Sequence, residues 1–504
     1  MNSTLQAFAS LSALLPYLDE LHAKAEQLDV PSPVTDVLRD LLKNLNEPQS
    51  YSRAIRPHSI IDVLSHPEPG KRSPLFSSRE HQDAQELFQL VSELVKKEAA
   101  AVDTERMHER GLGAVLELTA DEGEERLEVV KLAQRAVFDG LTANRRSCFE
   151  CGYTEAVMHF SFDSWQLPLP RTTACRLEEC LAEYTKLEVL TDCICRRCSM
   201  SATLTRLTED VERLAADPTP SNSRKRTLRE ARKLKGRVEI ALKEGRVEEE
   251  IKGLKVTRVF SRASTKQAMI ARPPRVLALH LNRSLAYGAY ASKNPARVAF
   301  TELLDLSPYT TGATLSTRPD APISSPSPSN PTPPVLYRLV AVVCHYGTHQ
   351  FGHYVAFRRK PPIKPPRVER VDETGEIRFV GEGSRVGRGW LRISDDNVSE
   401  VGVETALAEG SGAFMLYYER VLLPEDDATK TGCGRILRST RAGRSGNGVG
   451  CASGSEGSET SSGESRGTSV TSVEELDAPR PTEDVKEASD ALPSGREPRM
   501  VEAL

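Results

Sequence analysis

Two pairs of cysteines share one spacing, Cys148-x2-Cys151 and Cys195-x2-Cys198, with 43 residues between the pairs. Each pair sets two sulfurs on one tight turn. Two such turns complete a tetrahedral thiolate set for a structural zinc, with no ligand position left open for chemistry. Four unmetallated thiols are the plainer alternative, and Cys193 competes with Cys195 for its place in the set. Cys175 and Cys180 have the wrong spacing and read as core or helix-surface residues. A different chemistry is written in HYGTHQFGHYVAF, where His345 and His353 flank a glycine-containing turn between two strand-like runs. A hairpin there sets His353 at its mouth, with Gly352 permitting close approach of another backbone. Histidine titrates near physiological pH, as a general base must. Further on, Trp390-x3-Ser394-Asp395-Asp396 is a polar cluster able to orient an imidazole through its second nitrogen. Alone, the SDD string is merely a turn. These residues offer a base and an orienter, with no nucleophile beside them.

The elements that must position these groups follow from periodicity. The chain opens on a helix capped by Asn2 or Ser3, with Leu5, Phe8, Leu11 and Leu15 on one face, and Pro16 is expected to end it. SSREHQDAQELFQLVSELVKKE reads as a second helix opened by its serines, with Ala84, Leu87, Leu90 or Val91, and Leu94 as its apolar stripe. Residues 98–130 are acidic and weakly patterned, as suits surface helix and loop. From about 136 the pattern shortens to alternating runs broken by glycine and polar turns, a strand-rich module. Between about 206 and 252 the chain is highly charged, yet Leu228, Ala231, Leu234, Val238 and Leu242 keep a helical stripe. That segment reads as an amphipathic helical insert with a basic face. Strands return in PPRVLALHLNRS and in LYRLVAVVCHYGTHQFGHYVAFRR. Between them TTGATLSTRPDAPISSPSPSNPTPP is too rich in Pro and Ser to pack and reads as a flexible loop.

Composition narrows the function classes. The 504 residues carry 67 basic and 71 acidic side chains, a net charge of −4, which argues against a chain whose main task is neutralising phosphate or coating a membrane. No nucleic-acid partner is expected, and the basic stretch 224–246 reads as a solubilising face. The longest apolar runs, Leu339 to Cys344 and Ala413 to Tyr418, hold about six residues, where a membrane span needs roughly 18. No span is therefore expected. The first basic residue is Lys24, so the apolar start lacks the charged region of a signal peptide. Reduced cysteines and an intracellular location, cytoplasmic or nuclear, follow from that, although an anchor or targeting signal ahead of Met1 is compatible with the reading.

Five blocks in order carry a resemblance. They are MNSTLQAFASL, QDAQELFQLV, FDGLTANRRSCFECGYTE with FDSWQLPLP, KQAMIARPPRVLALHLNRS, and YRLVAVVCHYGTHQFGHYVAF with WLRISDDNV and AFMLYYER. Together they resemble the ubiquitin-specific protease family, papain-like cysteine peptidases that remove ubiquitin from lysines. The resemblance implies an α+β fold with a thumb (about 1–135), zinc-bearing fingers (about 136–275, with the insert 206–252) and a palm (about 276–423, with the Pro/Ser loop 311–334). A disordered tail, 424–504, follows. It implies that His353 is the base, that Ser394 or Asp395 orients it, and that Gly352 and Tyr354 flank the ubiquitin tail. Asp83 and Glu86, neighbours on one helix face, meet the arginine-bearing tail or are simply solvated. The implied partners are ubiquitin and ubiquitinated proteins, with structural zinc at Cys148, Cys151, Cys195 and Cys198 and no catalytic cofactor. Two departures stand out. The family nucleophile lies in a Cys-aromatic-Met-Asn-Ser string, which places the cysteine two residues ahead of Met1. The third triad position, usually Asp or Asn, is Ser394 here. The implied function is a deubiquitinase whose nucleophile precedes Met1, the alternative being a ubiquitin binder without catalysis.

Overall fold

The computed structural model describes residues 2–48, 55–67, 70, 72–76, 83–110, 136–219, 221–287, 290–312, 314–325, 334–348, 351–361, 363–371, 377–379, 388–395 and 397–422. The expected tail lies outside the described residues, as do the serines before the second predicted helix and most of the acidic stretch beyond residue 110.

Along the chain, helices α1 (Asn2–Phe8), α2 (Leu14–Gln27), α3 (Pro33–Asn46), α4 (His58–Ser65) and α5 (Ala84–Arg110) come first. Strands β1 (Gly140–Cys148), β2 (Met158–Phe162), β3 (Ser164–Pro168) and β4 (Ala174–Arg176) follow, then α6 (Leu177–Thr185), β5 (Glu188–Leu190), α7 (Arg196–Ala215) and α8 (Asn222–Lys243). Next are β6 (Ser264–Arg272), β7 (Val276–Asn282), β8 (Ser284–Tyr287), β9 (Tyr290–Lys293), β10 (Arg297–Ala299) and β11 (Leu303–Asp305). The chain closes on β12 (Leu336–Gly347), β13 (Gly352–Arg359), β14 (Val368–Val371), β15 (Ile377–Phe379), β16 (Trp390–Ser394), β17 (Asn397–Val401), α9 (Val403–Ala408) and β18 (Ala413–Arg420).

The long apolar runs of β12 and β18 are continuous rather than alternating because these strands lie at the centre of a large sheet and are covered on both faces. The order is β17-β16-β13-β12-β18-β7-β3, with β11 also paired to β12. Val343, Met415 and Tyr417 face a layer of helices that contributes Leu5, Phe8, Leu18, Leu38 and Phe88. Val342, Leu416 and Tyr418 face the other way, onto Leu177 and Leu181 of α6 together with Val298 and Phe300. Each such fully buried side chain stabilises the fold by roughly 1.5–3 kcal/mol. A smaller sheet, β2-β1-β6-β5, carries the cysteine turns. Beside it α7 and α8 form a helical hairpin whose own core is Met200, Leu207, Val238 and Ala241.

Several sequence expectations are corrected here. Pro16 does not end a helix; it sits in the first turn of α2, where its missing N–H would lack an intrahelical partner anyway. The second predicted helix is capped by Asp83, whose Oδ1 accepts from the Gln85 amide at 2.6 Å. The charged insert begins earlier than its charge density suggested, since Cys195 caps α7 directly. Residues 164–168 and 177–185 fall within the interval assigned to the fingers, yet β3 pairs in parallel with β7 and α6 packs on the large sheet. The Pro/Ser segment also packs in its first half. Ile323 is buried, and the buried Arg145 guanidinium donates to the carbonyls of Ser316 and Ala321. Backbone carbonyls that no regular element uses are what that arginine needs.

Candidate active site and metal centre

The hairpin anticipated around His353 is formed by β12 and β13, with Tyr346 opposite His353 and Gly347 opposite Gly352. On the other edge β13 pairs with β16, Ala356 lying opposite Ile393. Extending that register by one residue brings Ser394 opposite Val355. The two-residue period of a strand then puts Ser394 and His353 on one face. Contact follows: His353 Nε2 lies 2.8 Å from Ser394 Oγ. Asp395 lies just past β16, with φ +46°, at the tight connection to β17, and its Oδ2 is 3.6 Å from the opposite ring nitrogen, Nδ1. The hydroxyl and the carboxylate therefore address different nitrogens. His353 itself is open, with its side chain 46% exposed.

Gly352 has a local reason that spacing alone did not reveal. A Cβ there would stand 2.1 Å from Nε2 of His345, so the glycine leaves room for that imidazole under the hairpin. His345 is buried and lies against Tyr354 with the rings tilted, centroids 4.6 Å apart, and Phe414 edge-on to it at 6.2 Å. Lys293 braces the same hairpin by donating to the His345 carbonyl at 2.6 Å. No sequence signal marked that lysine, because its strand is only four residues long.

Tyr354 reaches the start of α5. Burial, then the nearby carboxylate of Asp83, pushes its phenol up, the Ala84 amide opposes the shift, and Glu86 adds to it. The structure thus gathers Tyr354, Asp83 and Glu86 at one place. Asp83 there also caps the helix, so a structural task accompanies any binding one. Helix α1 packs against β12, β13 and β16, and Thr4 Oγ1 donates to the Ala84 carbonyl at 3.4 Å.

The second site lies on the small sheet. The sulfurs of Cys148, Cys151, Cys195 and Cys198 all fall within 4.8 Å of one another, with Cys148 to Cys198 at 3.9 Å and Cys151 to Cys195 at 3.5 Å. Tetrahedral zinc at a Zn–S distance of about 2.3 Å separates its sulfurs by about 3.8 Å, so the donor set fits. Gly152, φ +67°, turns the chain away after the first knuckle, and the Cys198 amide points at the Cys195 sulfur at 3.5 Å. Cys193 is outside the set; its carbonyl accepts from Ser261, whose hydroxyl is 3.2 Å from the Cys148 sulfur. Cys175 and Cys180 are buried in the large core, with sulfurs 3.7 Å apart.

The family model described as ubiquitin carboxyl-terminal hydrolase matches residues 1–418. The chain belongs to the ubiquitin carboxyl-terminal hydrolase family. Its mixed α+β architecture is that of a ubiquitin-specific protease, in agreement with the motif order. Ubiquitin carboxyl-terminal hydrolase 16 of Emericella nidulans is 26% identical over 422 residues, covering 73% of this chain and 62% of that protein. Ubiquitin carboxyl-terminal hydrolase 30 of Xenopus tropicalis is 24% identical over 492 residues, 84% of this chain and 79% of the other. A solved SAGA DUB module bound to ubiquitin aldehyde aligns at 18% identity over 84% of this chain and 68% of that one, with a TM-score of 0.47. The hydrolase-family chain thus spans less than two thirds of the length of its Emericella relative. Among the described residues, no helix of it is long and apolar enough to cross a membrane.

Proposed function

We propose that this chain forms the ubiquitin-cleaving domain of a cysteine-type deubiquitinase, acting on the bond after the C-terminal glycine of ubiquitin. The observation that carries the reading is the 2.8 Å contact between His353 Nε2 and Ser394 Oγ. With Nε2 held by the hydroxyl, Nδ1 is the nitrogen left to serve a nucleophile in this reading. Serine is a neutral acceptor and stabilises an imidazolium less than a carboxylate does. Asp395 lies near the other nitrogen, its Oδ2 3.6 Å from Nδ1. The nucleophile is the cysteine that the family pattern places two residues ahead of Met1. Helix α1, resting on the strands that carry His353 and Ser394, positions it.

Thiolate attack on the glycine carbonyl gives an oxyanion intermediate and then a thioester. His353 donates the proton to the departing lysine amine and afterwards takes one from water. Asp83 and Glu86 receive the basic ubiquitin tail, and Tyr354 and Gly352 flank its passage. Zinc at Cys148, Cys151, Cys195 and Cys198 holds the small sheet and takes no part in the chemistry.

The test is hydrolysis of a fluorogenic ubiquitin C-terminal amide by the 504-residue chain and by the same chain with a Cys-aromatic dipeptide ahead of Met1. The extended chain is expected to turn over and its H353A variant to lose that turnover. Saturable ubiquitin binding without turnover in the extended chain would replace this reading with that of a non-catalytic binder.

A further inference from the structure

Helix α8 carries nine basic and two acidic residues, and three of its cations are matched: Arg224 by Asp217, Arg226 by Glu230 and Lys235 by Glu239. The other six, Lys225, Arg229, Arg232, Lys233, Arg237 and Lys243, are all exposed and have no ion-pair partner among the described residues. At 100° per residue Lys225, Arg229, Arg232, Lys233 and Lys243 fall within about 100° of arc, facing away from Leu234, Val238 and Ala241, which bury the opposite side against α7, while Arg237 flanks that apolar stripe. Lys225, Arg229, Lys233 and Arg237 follow each other at four-residue intervals, a row of positive charge with a step of about 6 Å and a length of about 18 Å. Like charges at that spacing each destabilise a helix by roughly 0.2–0.5 kcal/mol.

We infer that this face of α8 docks an acidic segment of a partner protein. Three observations choose the occupant. The exposed face offers only Ile240 as a large apolar side chain, so it has no surface to insert into a bilayer and no aromatic ring on which a base would stack. The adjoining helix α7 exposes Glu209 and Glu212, and the chain as a whole carries a net charge of −4. A narrow cationic row bounded by acids suits a strand or helix with carboxylates at a matching step. It does not suit the denser charge of a nucleic acid, which draws on a wide positive field. Arginine forks within the row take carboxylates in bidentate fashion.

The probe is a fluorescent helical peptide with glutamates four residues apart, titrated with the full chain at two salt concentrations. Binding that weakens with salt is expected, and R229E/K233E/R237E should weaken it at least tenfold. K252E/K255E/R258E, the same charge change on a neighbouring exposed loop, should alter it less than twofold. Circular dichroism and bound zinc verify that both variants are folded. Three results would each overturn the inference: no peptide binding, equal loss in both variants, or tighter binding of an oligonucleotide or anionic vesicle of equal charge.

Discussion

The cysteine cluster and the His353 hairpin are both polar sites built at the ends of β-strands, yet they are closed and open in opposite ways. Four sulfurs from two turns converge within 4.8 Å and leave no further donor position. His353 instead stands 46% exposed at a strand end, with its two nitrogens turned to two different side chains. A site that saturates its own valence can only hold structure. One that leaves a titratable group accessible can exchange protons with a substrate. Burial follows the same division, since Cys148 and Cys195 are buried while Asp395 is 71% exposed.

The largest expected effect breaks the closed site. Cys195→Ser should abolish stoichiometric zinc and remove a contribution that reaches about 10 kcal/mol in zinc-finger peptides. Hydrogen exchange should rise across β1, β5, β6 and α7 while β12 and β18 stay protected. If exchange in the small sheet is unchanged, metal does not hold that region. The open site should behave in reverse. In a chain carrying the upstream cysteine, His353→Ala should lower kcat/KM for the ubiquitin amide by about 10³-fold, within the range for loss of a general base. Its thermal stability should stay within about 0.5 kcal/mol of the parent. A large stability loss would mean that His353 is structural.

A third polar group sharpens the comparison, because it is buried with neither metal nor access to water. Glu419 accepts from Ser12 Oγ at 2.8 Å and from the Ala13 amide at 3.0 Å, tying the central strand β18 to the start of α2. Burial pushes its carboxyl up to about 7, against those hydrogen bonds. With a folded pKa above the unfolded one, its contribution is fully present below about pH 4.5 and is lost as pH rises through about 7. The stability of Glu419→Gln relative to the parent should therefore rise by about 3 kcal/mol between pH 4.5 and 8, at ~1.4 kcal/mol per tenfold change in proton affinity. Denaturant titrations across that range measure it; a flat difference would show that the α2 terminus stabilises the carboxylate in full. The smallest effect separates the two partners of His353. Ser394→Ala should cost about tenfold in kcat/KM, the worth of one neutral hydrogen bond, and Asp395→Asn about twofold, as suits a screened exposed charge. The reverse ranking would make Asp395 the orienter.

Spacing made both sites legible because their signals are local. Each CxxC pair lies on one turn, and the strand–turn–strand around His353 needs only its own glycines and alternation. The helical stripe of α5 was equally readable, with Ala84, Leu87, Val91 and Leu94 buried as expected. Boundaries were harder. Pro16 is compatible with ending one helix or opening the next, and only the packing of α2 on the large core chose. The Pro/Ser segment looked unable to pack because its composition lacks a core, yet Arg145 supplied the partner from 171 residues away.

The sequence by itself determined which side chains could do chemistry, since thiolate pairs, a histidine beside glycine and a polar string after tryptophan are properties of short segments. Tertiary structure alone decided which of them meet. It selected Cys195 over Cys193, set Ser394 against one nitrogen of His353 and Asp395 near the other, and put His345 under Gly352. Those outcomes depend on strand register and on contacts between segments distant in the chain. Shifting a register by one residue would turn each side chain to the opposite face without altering any local signal.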